Sequence, residues 1–186
     1  IDHIVKPFSS MVVRARVRAA LRSYDSTRSS GEWRPERGKI FSFIGSKGGV
    51  GTTTTALNVA MELVKSGKST TLCELRPDCG TAAGYLGASP ARNLQSLIEN
   101  SSENITKDEL ESCLCNHPTG LRALLAPQDC DELLNFTQEQ AETIITKIAE
   151  MSDYAIVDLP SSPFGSSEVV LRRSDFVVLT VELENA

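Results

Sequence analysis

The sequence predicts an α/β fold, a mostly parallel doubly wound sheet with helices on both faces. Three observations predict it. Short, continuous apolar runs alternate with helical segments from Lys39 onward, the pattern of strands buried on both sides. A glycine-rich stretch, GSKGGVGTTTT at 45–55, joins the first run to the first helix. Two later runs end in an acid, Glu74 and Asp158, which puts both carboxylates at one edge of such a sheet.

The elements follow in chain order. Ile1 to Val5 reads as a short strand, broken by Lys6-Pro7. Ser9 or Ser10 can cap a helix reaching about Tyr24. Val13, Val17, Ala20 and Leu21 fall on one face of it, and Arg14, Arg18 and Arg22 on another. That arginine row reads as a solvated face rather than a nucleic-acid or membrane patch. Residues 25–37, DSTRSSGEWRPER, are polar and interrupted by Gly and Pro, so they read as a linker. The main domain is expected over 38–186.

Within it, Lys39 to Ile44 is the first strand and the glycine loop follows. The next helix runs from about Thr53 to Ser66 and stops at Gly67. Thr70 to Leu75 is the second strand. Residues 92–100 and 106–116 are expected to form two short helices. Leu121 to Ala126 reads as a strand closed by Pro127. Thr137 to Met151 is an amphipathic helix, with Ala141, Ile144, Ile145 and Ile148 on one side. Tyr154 to Asp158 is a strand, Ser166 to Arg173 a helix, and Phe176 to Val181 the last strand. The chain opens at Ile1 in mid-pattern and stops soon after a strand. It is therefore expected to be a piece of a longer protein, with a C-terminally incomplete sheet.

Bulk properties bound the function. The 186 residues, 40 % hydrophobic, suit one domain and a fragment of another. A net charge of -5 disfavours bulk nucleic-acid binding. The cysteines are Cys73, Cys79, Cys113, Cys115 and Cys130. Their odd number, with no signal peptide, reads as reduced cytosolic thiols. The run Cys113-x-Cys115-x-His117 matches no common zinc spacing. No apolar run approaches the ~20 residues of a membrane span.

The loop carries the chemistry. Between a strand and a helix, successive backbone amides turn inward and the helix N-terminus adds partial positive charge, which suits phosphate. Glycines let the backbone wrap closely. Gly51-Thr52-Thr53 stands where a phosphate loop ends in Gly-Lys-Thr/Ser, with one substitution. The candidate binding residues are Gly45, Ser46, Lys47, Gly48, Gly49, Val50, Gly51, Thr52, Thr53 and Thr54. A dinucleotide loop fails, because no Gly-x-Gly-x-x-Gly can be laid on these residues. Thr53 sits where the Mg²⁺-binding hydroxyl belongs. Asp158 ends its strand where an acid can hold the metal's water shell.

KGGVGTTTTALNVAMEL resembles the deviant phosphate loop of the MinD/ParA ATPases, P-loop NTPases whose pattern is Lys-Gly-Gly-x-Gly-Lys-Thr. LCELRPDCG resembles their Val-Asp-x-Asp-Pro-Gln-x-Gly segment, and YAIVDLPSS the strand and switch that follow. The resemblance implies ATP and Mg²⁺ as cofactors and an ATP-dependent homodimer. It implies catalytic roles for Lys47, Glu74 and Asp158, with Lys47 reaching across the dimer to the partner's nucleotide.

The N-terminal stretch IVKPFSSMVVRARVRAALR is similar to the last strand, Lys-Pro turn and final helix of a response-regulator receiver (CheY-like) domain. That implies a receiver fragment over 1–24, with Lys6 matching the lysine that contacts the phosphoryl group. Receiver tail, linker and MinD-like ATPase resemble the order in CpaE/TadZ proteins. This order implies a cytoplasmic protein, at the inner face of the membrane or the cell pole, that localises Tad-type pilus assembly machinery. Its partners would be pilus-assembly or polar-localisation proteins, with only peripheral membrane contact.

The departures shape the activity. Thr52 replaces the loop lysine, Glu74 the first acid of the pair and Arg76 the second. One positive charge near the β/γ-phosphates is missing, so nucleotide binding with slow hydrolysis is expected. Arg76 is expected to project into solvent. Two other functions fit the residues: a ParA/MinD-type partition or division-positioning ATPase, and a non-hydrolysing scaffold with a relic loop. DNA binding separates the first of these from the pilus reading, and a nucleotide titration separates the second.

Overall fold

The computed structural model describes residues 11, 15, 19, 37–99, 101–128, 133–162 and 165–182. The chain divides into two units, Ile1–Glu36 and Arg37–Ala186. In the first, Met11, Ala15 and Ala19 are helical and exposed. The expected strand over 1–5, the rest of the helix towards Tyr24, and the linker apart from Arg37 lie outside the described residues.

The second unit is built on a sheet. Its strands are β1 (Lys39–Gly45), β2 (Thr70–Glu74), β3 (Leu114–Asn116), β4 (Arg122–Leu124), β5 (Tyr154–Asp158) and β6 (Phe176–Thr180). They lie in the order β3-β4-β2-β5-β1-β6. Every pairing is parallel except β3 with β4. Burial follows position in that order. Central β2 and β5 are buried at every residue, whereas β6, last in the order of the described strands, alternates, leaving Val177 and Leu179 exposed. The apolar runs in the sequence are thus the strands covered on both faces.

The helices are α1 (Thr52–Lys65), α2 (Ala82–Leu86), α3 (Leu94–Ile98), α4 (Lys107–Cys113), α5 (Gln138–Met151) and α6 (Ser167–Arg173). Helix α1 packs on β1, β2 and β5. One core cluster joins Ile40, Cys73, Ala155 and Val157 from alternate strand positions to Ala141, Ile144, Ile145 and Ile148 of α5. This is the apolar side of α5 that the sequence predicts. Thr137 starts α5 with a capping box, its hydroxyl accepting from Gln140 N while the Gln140 side chain accepts from Thr137 N.

Two local expectations change. Residues 114–116 do not continue a helix. Leu114 turns extended (φ -78°, ψ 131°) and starts β3, antiparallel to β4 with Leu114 opposite Leu124. The cause lies just downstream, in a turn through Pro118 and Gly120. Gly120 takes φ +94°, and His117 N donates to Leu121 O at 2.8 Å, closing a hairpin. The second change is α2, a five-residue helix absent from the sequence reading. Its start is held by a carboxylate from β2, described below. No helix among the described residues is long and apolar enough to cross a membrane.

Candidate functional site

The loop leaves β1 at Gly45 and enters α1 at Thr52. Gly49 and Gly51 sit in the left-handed region, at φ +80° and +81°, which glycine adopts without strain. A Cβ on Gly45 would lie 2.5 Å from Thr52 Oγ1 and 3.0 Å from Lys47 O, so the loop folds back on its own strand end. Helix α1 has no side-chain cap and no acid in its first turn. Its leading amides are therefore not claimed by side chains, and the partial positive charge of a 14-residue helix faces the loop.

The run Thr52–Thr55 places four hydroxyls in four different settings. Thr52 Oγ1 is hydrogen-bonded to Thr180 Oγ1 of β6 at 2.6 Å. Thr53 Oγ1 donates to Asp158 Oδ2 at 2.6 Å. Thr54 is exposed. Thr55 Oγ1 donates back to Gly51 O at 2.8 Å.

Register brings the acids to the same edge. Asp158 pairs with Phe43 of β1 on one side and with Glu74 of β2 on the other. Asp158 is 1 % exposed, and its Oδ1 is buried with no hydrogen-bond partner among the described residues. Burial pushes its carboxyl up to about 6. The Thr53 hydroxyl pulls it back, Glu74 raises it further, and Arg76 again lowers it. A desolvated carboxylate with an unsatisfied oxygen, next to a hydroxyl, is a pair of hard oxygen donors. It fits a small hard cation such as Mg²⁺, which takes few protein ligands and keeps water or phosphate oxygens for the rest.

Glu74 reaches the expected edge, but its carboxylate is engaged by the backbone. Oε1 accepts from Thr81 N at 2.6 Å and Ala82 N at 3.0 Å, and Oε2 from Ala126 N at 3.2 Å. It is fully buried. Gly80 allows this approach, since a Cβ there would lie 2.3 Å from Glu74 Oε2. Glu74 thus anchors the start of α2 and the chain after β4. Sequence reasoning missed this role, because the partners are backbone amides.

Arg76 does not project into solvent. Its side chain is only 16 % exposed, and its Nε donates to Asp78 Oδ1 at 2.7 Å. Burial lowers the guanidinium pKa, but Asp78, Asp158 and Glu74 more than offset this and hold it above its ordinary value. Buried surroundings of one sign explain the change from expectation: three carboxylates retain the cation at the edge.

The remaining loop residues are more open. Lys47 makes a surface ion pair with Glu182 at 3.1 Å and is 43 % exposed. A Cβ on Gly48 would meet nothing within 4 Å. Val50 is buried, and Ser46 N donates to Thr180 O at 2.8 Å. Thr180 holds the loop at two points, and nothing in the sequence of β6 signals it.

Comparisons with known proteins agree with this geometry. Residues 38–186 match the AAA_31 family model, an AAA domain. The chromosome partitioning protein ParA of Myxococcus xanthus is 30 % identical over 163 residues, covering 79 % of this chain and 53 % of that protein. The crystal structure of a ParA family ATPase from Chlorobium tepidum gives a TM-score of 0.68 at 24 % identity, over 77 % of this chain and 60 % of that one. The septum site-determining protein MinD of Pyrococcus horikoshii, solved with Mg-ADP, gives 0.65 at 16 % identity, over 77 % and 57 %. The chain spans about half the length of the curated relatives it matches.

Proposed function

The chain belongs to the AAA-domain family of ParA- and MinD-type P-loop ATPases, and from that premise we propose that it is an ATP-dependent switch. It binds ATP with Mg²⁺, dimerises in that state and hydrolyses the nucleotide slowly. One observation carries the reading. Thr53 and Asp158 meet at 2.6 Å beside an uncapped helix N-terminus, and Asp158 keeps a buried oxygen without a partner.

The roles follow from the residues. Backbone amides of the loop and the start of α1 hold the phosphates. Thr53 and Asp158 hold the metal, which neutralises charge on the phosphates when bound. Slow hydrolysis is supported twice. Thr52 brings no charge, and its hydroxyl is already bonded to Thr180. The Glu74 carboxylate accepts three backbone hydrogen bonds, so it is poorly placed to act as a base. Lys47 lies on the surface, which suits a residue acting on a partner's nucleotide.

The test is calorimetric titration of a non-hydrolysable ATP analogue with and without Mg²⁺. Binding that requires Mg²⁺ and is lost in Asp158→Ala is the expected result. Absence of binding supports the relic-loop scaffold instead.

The cellular role rests on the order of receiver-like tail, linker and ATPase unit. That order supports positioning of Tad-type pilus assembly machinery at the cell pole, from the cytoplasmic side. Polar foci of a tagged protein that disappear with Thr53→Val, together with loss of pili, would bear this out. The ParA relative favours a second reading, DNA partition. Salt-sensitive DNA binding of the ATP-loaded protein, measured at low and moderate salt, distinguishes it.

A further inference from the structure

The site as described is short of positive charge. Asp158 and Glu74 set two carboxylates side by side at the sheet edge. The loop position next to them carries Thr52, whose hydroxyl is turned onto Thr180. Lys47 is engaged at the surface with Glu182. A triphosphate entering this edge adds further negative charge.

Arg76 lies two residues beyond the end of β2, at the same edge. Its side chain is mostly buried, and Asp158 and Glu74 both act electrostatically on its guanidinium. The effect is mutual, since Arg76 also acts on Asp158. Its present partner holds it unevenly. Nε meets Asp78 Oδ1 at 2.7 Å, but Nη2 is 3.5 Å from Oδ2, the outer limit of a hydrogen bond. Nη1 has no hydrogen bond among the described residues. Asp78 itself is 49 % exposed, so water can take it over at little cost. A planar guanidinium suits phosphate oxygens because it can donate two bonds at once.

We propose that Arg76 is a triphosphate-sensing residue that takes the place of the missing loop lysine, exchanging Asp78 for the terminal phosphate of a bound nucleoside triphosphate. Asp78 acts as the placeholder that keeps the guanidinium at the edge when no terminal phosphate is present. The inference rests on the nucleotide-binding reading above. It adds selectivity for triphosphate over diphosphate, built from a residue on β2's exit rather than on the loop.

The test compares affinities for a non-hydrolysable ATP analogue and for ADP, each with Mg²⁺, by calorimetry on the full chain. Four proteins are needed: wild type, Arg76→Gln, Arg76→Lys and Asp78→Asn. Arg76→Gln should weaken the triphosphate analogue roughly 10- to 100-fold, the range for a charged hydrogen bond, and leave ADP within about twofold. Arg76→Lys should recover part of the loss, because it restores charge without the fork. Asp78→Asn should tighten the analogue a few-fold, since the competing carboxylate is gone. Asp78→Asn leaves Arg76 in place, so it reports even if Arg76→Gln folds poorly. Wild type that binds both nucleotides, with Arg76→Gln weakening both equally or neither, overturns the assignment alone. So does an Asp78→Asn protein that loses triphosphate affinity. Wild type that binds neither nucleotide overturns the nucleotide-binding reading and this assignment with it.

Discussion

Replacing Asp158 with Asn should make the nucleotide-free protein more stable while removing its affinity for Mg²⁺. The carboxyl is buried at 1 % exposure, and its folded pKa stands at about 6 against an ordinary 3.8. The folded state therefore holds this proton more tightly than the unfolded state. Between about pH 4 and pH 6 the folded chain carries more bound protons, so stability falls as pH rises through that window. By pH 8 the full penalty of an ionised, buried Asp158 is present. Two units at 1.36 kcal/mol each give about 3 kcal/mol. Asn keeps an oxygen for the Thr53 hydroxyl and carries no charge, so it escapes the penalty. For a unit of this size that corresponds to a melting temperature higher by roughly 6–12 °C. At pH 5 the gain should shrink to about half, because wild-type Asp158 is then largely protonated when folded. The assay is thermal unfolding by circular dichroism at pH 5 and pH 8, without Mg²⁺ or nucleotide, paired with analogue titration in Mg²⁺. A variant no more stable than wild type at pH 8, or one whose gain is the same at both pH values, refutes the argument that burial of this charge costs the fold stability.

Other outcomes follow from the same geometry. Glu74→Ala leaves the amides of Thr81, Ala82 and Ala126 without their acceptor, so denaturant unfolding should show a loss of about 3 kcal/mol or more. Glu74→Gln, which keeps an acceptor oxygen, should lose much less, and equal losses would mean charge rather than hydrogen bonding matters there. Lys47→Ala should leave nucleotide affinity of the monomer within a few-fold yet abolish the ATP-dependent dimer, as read by light scattering. An equal loss of both would place Lys47 on its own chain's nucleotide. Thr52→Lys should raise single-turnover ATP hydrolysis towards the low end of roughly 30- to 1000-fold, the range for one well-placed charge contact. If it tightens ATP binding and leaves hydrolysis unchanged, the missing lysine is not what slows the reaction.

The sequence was most legible where one local rule governs. The run YAIVD gave β5 to the residue, because a central parallel strand needs apolar side chains on both faces, and Thr70–Leu75 gave β2 to within one residue. The glycine at 67 marked a helix end, and the apolar face of 137–151 marked α5, for the same kind of reason. The hairpin of β3 and β4 was less legible. Its β4 was read within a longer strand, Leu121–Ala126, while the three-residue β3 is too short for a period and was read into the helix over 106–116. At the site, spacing pointed to Thr53 and Asp158, and the fold brings them into contact across 105 positions of chain. The role of Glu74 was not legible, because its partners are backbone amides and any residue supplies an amide. Arg76 was misread for a related reason. Whether an arginine after a strand reaches solvent depends on neighbouring charges contributed by β5 and the following turn, which only the folded register assembles. The four consecutive threonines make the limit plain: identical letters, yet one hydroxyl meets Asp158, one Thr180 and one the carbonyl of Gly51.

Thr180 joins two parts of the molecule that sequence numbering keeps far apart. Its carbonyl accepts from Ser46 N, and its hydroxyl meets both Thr52 and the carbonyl of Ile44. The phosphate loop is thus sewn to β6, the last strand in the described order. Its position is set from two directions, by β1 where the loop begins and by β6 alongside, so a substitution at Thr180 would displace Ser46 and Thr52 together.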